Sequence, residues 1–266
     1  MMIRRLYRFC LAAIVASIAS TTAADAEERA VADWSNSLQM AFVELEPGVL
    51  MCIWETRVSD YQGFVEATGL RWSKPYFEQT DNEPAVYVSW EDANLFCRWL
   101  TRSEQEAELI GEGDFYRLPT EAEWLAAAGV VVDESKKSRT SFNREIAFPW
   151  GKEWPPPEGS GNYGQQLQID GFEQTAPVGS FSPNELGFYD MGGNVWEWCS
   201  DYYEGAPDMR VLKGGSWRMH EPSDMMHHNR VGNISYIRLP VYGFRVVLDR
   251  TKSLEPTKIS TVQAER

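Results

Sequence analysis

Residues 149 to 194 constrain the fold most. They are dense in Gly, Pro, Asn and aromatic side chains. They show almost no hydrophobic periodicity, neither the 3.6 of a helix nor the 2 of a strand. So long an irregular stretch leaves main-chain donors and acceptors without the partners that regular structure supplies. Bound metal is one remedy, because coordination replaces the missing hydrogen bonds. The chain also holds 11 Trp and 20 Gly with few long amphipathic runs, which favours an irregular, aromatic-rich fold over a helical bundle.

The flanks are more regular. Met40 to Trp54 is apolar and β-prone and is broken by Pro47-Gly48, which predicts two short strands. Ser59 is placed to cap a helix that shows Tyr61, Phe64 and Val65 on one face and ends before Gly69. Ser89 with Asp92 forms an acidic relative of the capping box, followed by Ala93, Phe96, Cys97 and Leu100 at helical spacing. Thr120 with Glu123 is a full capping box and opens a short helix burying Trp124 and Ala128. Residues 133 to 145 are charged and Ser/Thr-rich, as in a surface insertion. Short strands are expected at 211–218 and 243–248.

Residues 1–26 carry Arg4, Arg5 and Arg8, a short apolar core from Leu11 to Ser20, and Ala24-Asp25-Ala26 at a small-x-small position. This is the pattern of a signal peptide, and the apolar run is too short to span a bilayer. The expected product is exported, periplasmic or secreted, with no transmembrane segment. It comprises a polar leader at 27–39, one domain at 40–250 and a loose tail at 251–266. Losing three Arg and one Asp takes the formal charge from -14 to about -16. That charge argues against a nucleic-acid partner and suits divalent cations. Cys52, Cys97 and Cys199 remain, an odd number. In an oxidising compartment this predicts one disulfide and one free thiol, with Cys97 and Cys199 as the expected pair.

Seven phrases occur in order: ETRVSDYQGFV (55–65), VSWEDANLFCRWL (88–100), RLPTEAEW (117–124), FPWG (148–151), GFYDMGGNVWEW (187–198), VLKGGSW (211–217) and GFRVV (243–247). Together they resemble the formylglycine-generating enzyme family, also called sulfatase-modifying factor domains, over about residues 40–248. The resemblance implies a single irregular α+β domain, related to C-type lectins, with little regular secondary structure. Catalytic members oxidise a sulfatase cysteine to formylglycine with oxygen and a copper ion held by two cysteines. Other members oxidise sulfur substrates with iron, mature siderophores in the periplasm, or only bind partners.

The resemblance also implies two calcium sites. The first falls on Asn162, Tyr163, Asp170 and Phe172. The second falls on Asp190, Gly193, Val195 and Glu197, with Asp190 standing where relatives usually have Asn. The chemistry agrees, since calcium takes six to eight hard oxygens and a Gly-rich loop lets carbonyls converge. Pairing of these carboxylates with Arg, or capping of turns, is the alternative use for them.

Counted from Ser216, the two copper cysteines of the family fall on Met219 and Asp224. Neither is a thiol, so the copper bis-thiolate route to formylglycine is closed here. The same segment gathers His220, Met225, Met226, His227 and His228, which include all three histidines of the chain. Thioether and imidazole suit copper, and imidazole suits acid–base work. The competing reading is Met as packing filler, with histidines that do not converge. Ser216 and His220 join Met219 and Asp224 as the catalytic candidates, while Trp217, His227 and His228 are the substrate-binding candidates. Trp217 and Tyr242 are expected more in the core than in a cleft. Arg117, Arg218 and Arg245 are expected as structural charge partners.

These features lead to an exported, calcium-stabilised domain that binds a protein, peptide or glycan partner. The alternatives are a periplasmic oxidoreductase of the same family, whether a Met/His-assisted metal oxidase or a siderophore-maturation enzyme, and a divergent formylglycine generator using Cys52 or Cys199.

Overall fold

The Pro47-Gly48 turn, with Gly48 at φ 80°, folds β2 (Ala41–Glu46) back on β3 (Val49–Cys52). Phe42 sits opposite Cys52 across this antiparallel pair. The computed structural model describes residues 32–130 and 148–254. The expected signal peptide, the first five residues of the expected leader, the 133–145 insertion and all but the start of the tail lie outside these residues. Within the leader, β1 (Trp34–Ser35) is not loose but pairs with β2. Trp34 packs on Phe42 and Tyr116, and Ser37 donates from its main chain and its hydroxyl to the buried Glu104. Aromatic burial and a buried acceptor thus draw a polar stretch into the fold.

Three helices follow the predicted caps closely. α1 (Val58–Thr68) starts two residues earlier than the Ser59 cap implies. Arg57 takes the cap position, and Asp60 accepts from its main-chain N–H and its guanidinium. The helix ends on Gly69 in the left-handed conformation. α2 (Trp90–Glu106) has the reciprocal Ser89–Asp92 box and buries Ala93, Phe96, Cys97 and Leu100. β4 (Phe115–Arg117) leads into α3 (Glu121–Ala127), which has the Thr120–Glu123 box and buries Trp124. Each cap contributes about 1 kcal/mol.

The second half builds a sheet that the sequence reading underestimated. β5 (Trp196–Tyr203) and β6 (Ala206–Lys213) form a hairpin, with α4 (Pro222–Met225) and β7 (Val231–Ile234) after it. β8 (Tyr242–Gly243) pairs in parallel with the start of β5. β9 (Val247–Asp249) leaves this sheet and enters the first, and α5 (Thr251–Leu254) closes the described chain. The sheets run β1-β2-β3-β9-β4 and β7-β6-β5-β8. The GGSW phrase lies just beyond β6, in a loop and not in the strand expected there.

The main core gathers Tyr61, Phe64 and Phe96 from the helices with Phe244, Trp196 and Trp198. Phe96 and Phe244 meet edge to face at 5.4 Å. A second core gathers Trp124, Leu125, Val211, Val247 and Cys199. Trp198 and Cys199 alternate along β5 and so enter different cores. Cys97 lies in the first, which separates it from Cys199. The expected disulfide is therefore absent, and Cys52, Cys97 and Cys199 are all buried and free.

Candidate metal loops and the surface beside them

The 149–194 stretch is organised by close main-chain approach. A Cβ on Gly193 would stand 2.3 Å from the Asn162 carbonyl oxygen, and one on Gly192 would stand 2.2 Å from the Pro149 ring. Asp190, Gly193 and Asn194 all have positive φ, so the chain coils tightly before β5. Asn194 is fully buried and ties the coil together. Its main-chain N–H donates to Asn162 O at 2.8 Å. Its side-chain oxygen accepts from Asn162 Nδ2 and from the Ala176 N–H. The sequence reading passed over Asn194, and the only available signal was an Asn directly after two glycines.

The first predicted set comes together. Asp170 accepts from the Tyr163 N–H through Oδ2 and from the Phe172 N–H through Oδ1, both at 3.0 Å. Asn162 Nδ2 donates to Gln174 O, whereas Asn162 Oδ1 is buried without a hydrogen-bond partner. A buried amide oxygen beside a carboxylate is the kind of hard donor calcium takes. These residues therefore fit a calcium ion, which would cross-link the two arms of the loop.

The second set divides. Asp190 Oδ2 accepts from the Gly179 N–H at 2.8 Å, while its Oδ1 is buried without a partner. Burial pushes the Asp190 carboxyl up to about 6. Glu197 is already engaged. Arg245 donates to both of its oxygens, at 2.6 and 2.7 Å, and Trp124 Nε1 adds a third bond at 2.9 Å. Arg245 also donates to Ile53 O and Tyr189 O. This buried ion pair bears out the structural reading of Arg245, and Arg117 likewise pairs with Glu123 and Asp249.

Glu55 was missed by the sequence reading. It is fully buried, and neither carboxylate oxygen has a hydrogen-bond partner. Burial and then Asp190 hold its carboxyl well above the usual range. A lone acid directly after the apolar VLMCIW run was the available signal.

The 214–229 segment runs beside these loops. Met219 Cγ and Asp224 O both lie within 3.7 Å of where a Gly215 Cβ would stand. The Met219 side chain and the Asp224 main chain thus both border Gly215, and neither residue is a thiol. Met219 and Met226 pack with buried Met225 against Phe148, Tyr163 and Ile169. Ser216 is buried, and its carbonyl accepts from the Met219 N–H.

The histidines do not converge. His220 is 42% exposed with Nε2 3.7 Å from Glu221, and His228 is exposed. His227 is buried, and burial, then the Lys213 charge, lower it to about 4, with a Phe148 main-chain hydrogen bond opposing them in part. No group of three or more His, Cys, Asp or Glu among the described residues is arranged to hold a metal ion.

Lys213 anchors this segment from below. It is fully buried, and its ammonium donates to His227 O at 2.8 Å and Asn229 O at 2.6 Å. Trp217 is also buried, donates to Pro240 O and packs edge-on against Phe77. Arg218 lies 4.6 Å above the Trp217 ring and donates to the exposed Tyr76 hydroxyl at 2.7 Å.

The protein is thus a single irregular α+β domain whose Gly-Asn loops gather buried oxygens beside an anchored, thiol-free surface loop. The chain belongs to the family described as sulfatase-modifying factor enzyme 1-like domain, which it matches over residues 24–250. It is 36% identical over 155 residues to the inactive C-alpha-formylglycine-generating enzyme 2 of Bos taurus, covering 56% of this chain and 43% of that one. It is 33% identical over 180 residues to the formylglycine-generating enzyme of Streptomyces coelicolor, covering 59% and 51%. The matches therefore span about half the length of these relatives. Among solved structures, PvdO from Pseudomonas aeruginosa aligns with a TM-score of 0.59 at 24% identity, over 76% of this chain and 80% of that one. Treponema denticola variable protein 1 aligns with a TM-score of 0.56 at 21% identity, over 76% and 84%. These two show a shared fold. Among the described residues no helix is long and apolar enough to cross a membrane.

Proposed function

We propose that this chain is an exported, calcium-stabilised member of the family that does not make formylglycine by the copper bis-cysteine route and instead binds a partner. The observation that carries this reading is the segment beside Gly215, where Met219 and Asp224 stand at the positions that the resemblance gives to two thiols. No described cysteine can substitute. Cys52, Cys97 and Cys199 are buried, and burial raises each thiol, Cys52 and Cys97 to about 12. The thiolate needed to hold copper is disfavoured at all three. A relative whose name marks it as inactive adds support. The splayed histidines count against the oxidoreductase alternative.

The partner class best suited to the 215–242 surface is a protein or peptide. Arg218 and Tyr76 present an exposed cation and aromatic ring together, a pairing enriched at interfaces; a glycan is the other ligand class. Two measurements test this reading. A cysteine-containing sulfatase peptide, incubated with the mature protein, copper and oxygen, should show no aldehyde by mass spectrometry, and aldehyde formation would overturn the assignment. A photo-crosslinker at Tyr76 should capture an adduct in cells that a crosslinker at Leu109 does not, and equal labelling would remove the surface from consideration.

A further inference from the structure

We propose that Glu55 is a further acidic ligand, beside Asp190, at the second cation site, and that the ion held there is divalent. This rests on the calcium reading above and changes which residues of this chain serve it.

Glu197 is already held by Arg245 and Trp124, which donate three hydrogen bonds to it, and its charge is balanced by the buried guanidinium. Glu55 has no such partner. It is fully buried, both of its oxygens lack partners, and Asp190 Oδ1 is buried and unpartnered as well.

The main chain brings these two carboxylates to one place. Ile53 O accepts from the Tyr189 N–H at 2.8 Å and from Arg245 Nη1 at 3.2 Å. Tyr189 O accepts from Arg245 Nη2 at 3.0 Å. The residues leading into Glu55 and Asp190 therefore flank one guanidinium, and Asp190 is the charge acting most strongly on Glu55.

Charge balance points to the same conclusion. Glu55, Asp190 and Glu197 bring three carboxylates to the interior, and Arg245 cancels one of them. The remaining two negative charges are matched by one divalent ion, which avoids the cost of burying unpaired carboxylates. The free donors are all oxygens, so the ion is hard. A buried, irregular cage suits calcium better than magnesium, which keeps its waters. Asp190 also lines a cleft of about 220 Å³ with Ser160, Asn184 and Gly192, and the Ser160 hydroxyl is buried without a partner. This cleft provides the ion's entry path and room for a water ligand.

Calorimetric titration of the metal-free mature protein with calcium chloride tests the proposal. The wild type should bind two ions, while Asp170→Asn and Glu55→Gln should each bind one. If the wild type binds none, the calcium reading itself fails. If it binds two and folded Glu55→Gln also binds two with unchanged affinity, calcium stands and the role of Glu55 is overturned. Crystals of the wild type soaked in terbium give a readout that does not depend on a variant folding. An anomalous peak within about 2.6 Å of a Glu55 oxygen supports the proposal. A peak at Asp190 that leaves Glu55 outside the coordination sphere ends it.

Discussion

His227 should make this protein lose stability in mild acid, by an amount the structure sets. Its ring is buried beside the Lys213 ammonium, and a Phe148 main-chain hydrogen bond offsets only part of that, so folding favours the neutral form. Burial comes first among the causes and the Lys213 ammonium second, and together they lower the group from 6.5 to about 4. The sign follows from where the proton goes. The unfolded chain takes one below about 6.5, and the folded chain does so only near 4. The contribution of His227 is therefore intact above about 6.5 and is lost as pH falls toward 4. A shift of about 2.5 units at 1.36 kcal/mol per unit gives about 3 kcal/mol. Acid also weakens other groups, so the useful quantity is a difference from His227→Leu. That variant keeps roughly the volume and does not titrate. Urea unfolding at about pH 7, 5.5 and 4 would measure both proteins at constant m-value. The leucine variant should match or exceed the wild type at pH 7 and lead it by about 3 kcal/mol at pH 4. Parallel stability curves would show that His227 is hydrated or partnered in solution and would refute the argument.

Other outcomes follow from the same geometry. Arg245→Met leaves Glu197 buried with no cation and should cost about 3–5 kcal/mol in chemical denaturation. Gly193→Ala meets the Asn162 carbonyl at 2.3 Å and should cost about 3 kcal/mol, whereas Gly205→Ala, at a similar φ but in open space, should cost only about 1 kcal/mol. Chelation should lower the melting temperature by several degrees, since a site at a hundredfold excess over Kd contributes about 2.7 kcal/mol. A scan of demonstrably metal-free protein that coincides with the calcium-loaded scan would contradict this. The mature native protein should resist a thiol reagent and release three reactive thiols in denaturant, whereas a single thiol would reveal a disulfide.

Much of the first half was legible because its signals are local. The Ser89–Asp92 and Thr120–Glu123 boxes and the Pro47-Gly48 turn each specify their own few residues. β5 is harder to read because it follows the glycine coil directly, pairing locally with β6 but also with β8 far along the chain. The same holds at the site. Asn162 and Asp170, which the family resemblance implied, lie on one short loop whose Tyr163 N–H donates to Asp170. Glu55 and Asp190 are joined only through Tyr189, Ile53 and Arg245, and no sequence spacing encodes that junction. The disulfide expectation failed for a related reason. An odd count of cysteines says nothing about which core each one enters.

The two bonds from Lys213 end on carbonyl oxygens, at positions 227 and 229. Every amino acid supplies that atom. A loop anchored by its backbone depends less on its exposed side chains, so positions such as Arg218, Glu221 and Ser223 can be exchanged while the path of the chain persists. This gives a physical route by which a catalytic segment can shed its thiols without unfolding. It also marks the loop as a graftable one, in which new binding specificities could be selected on a fixed frame.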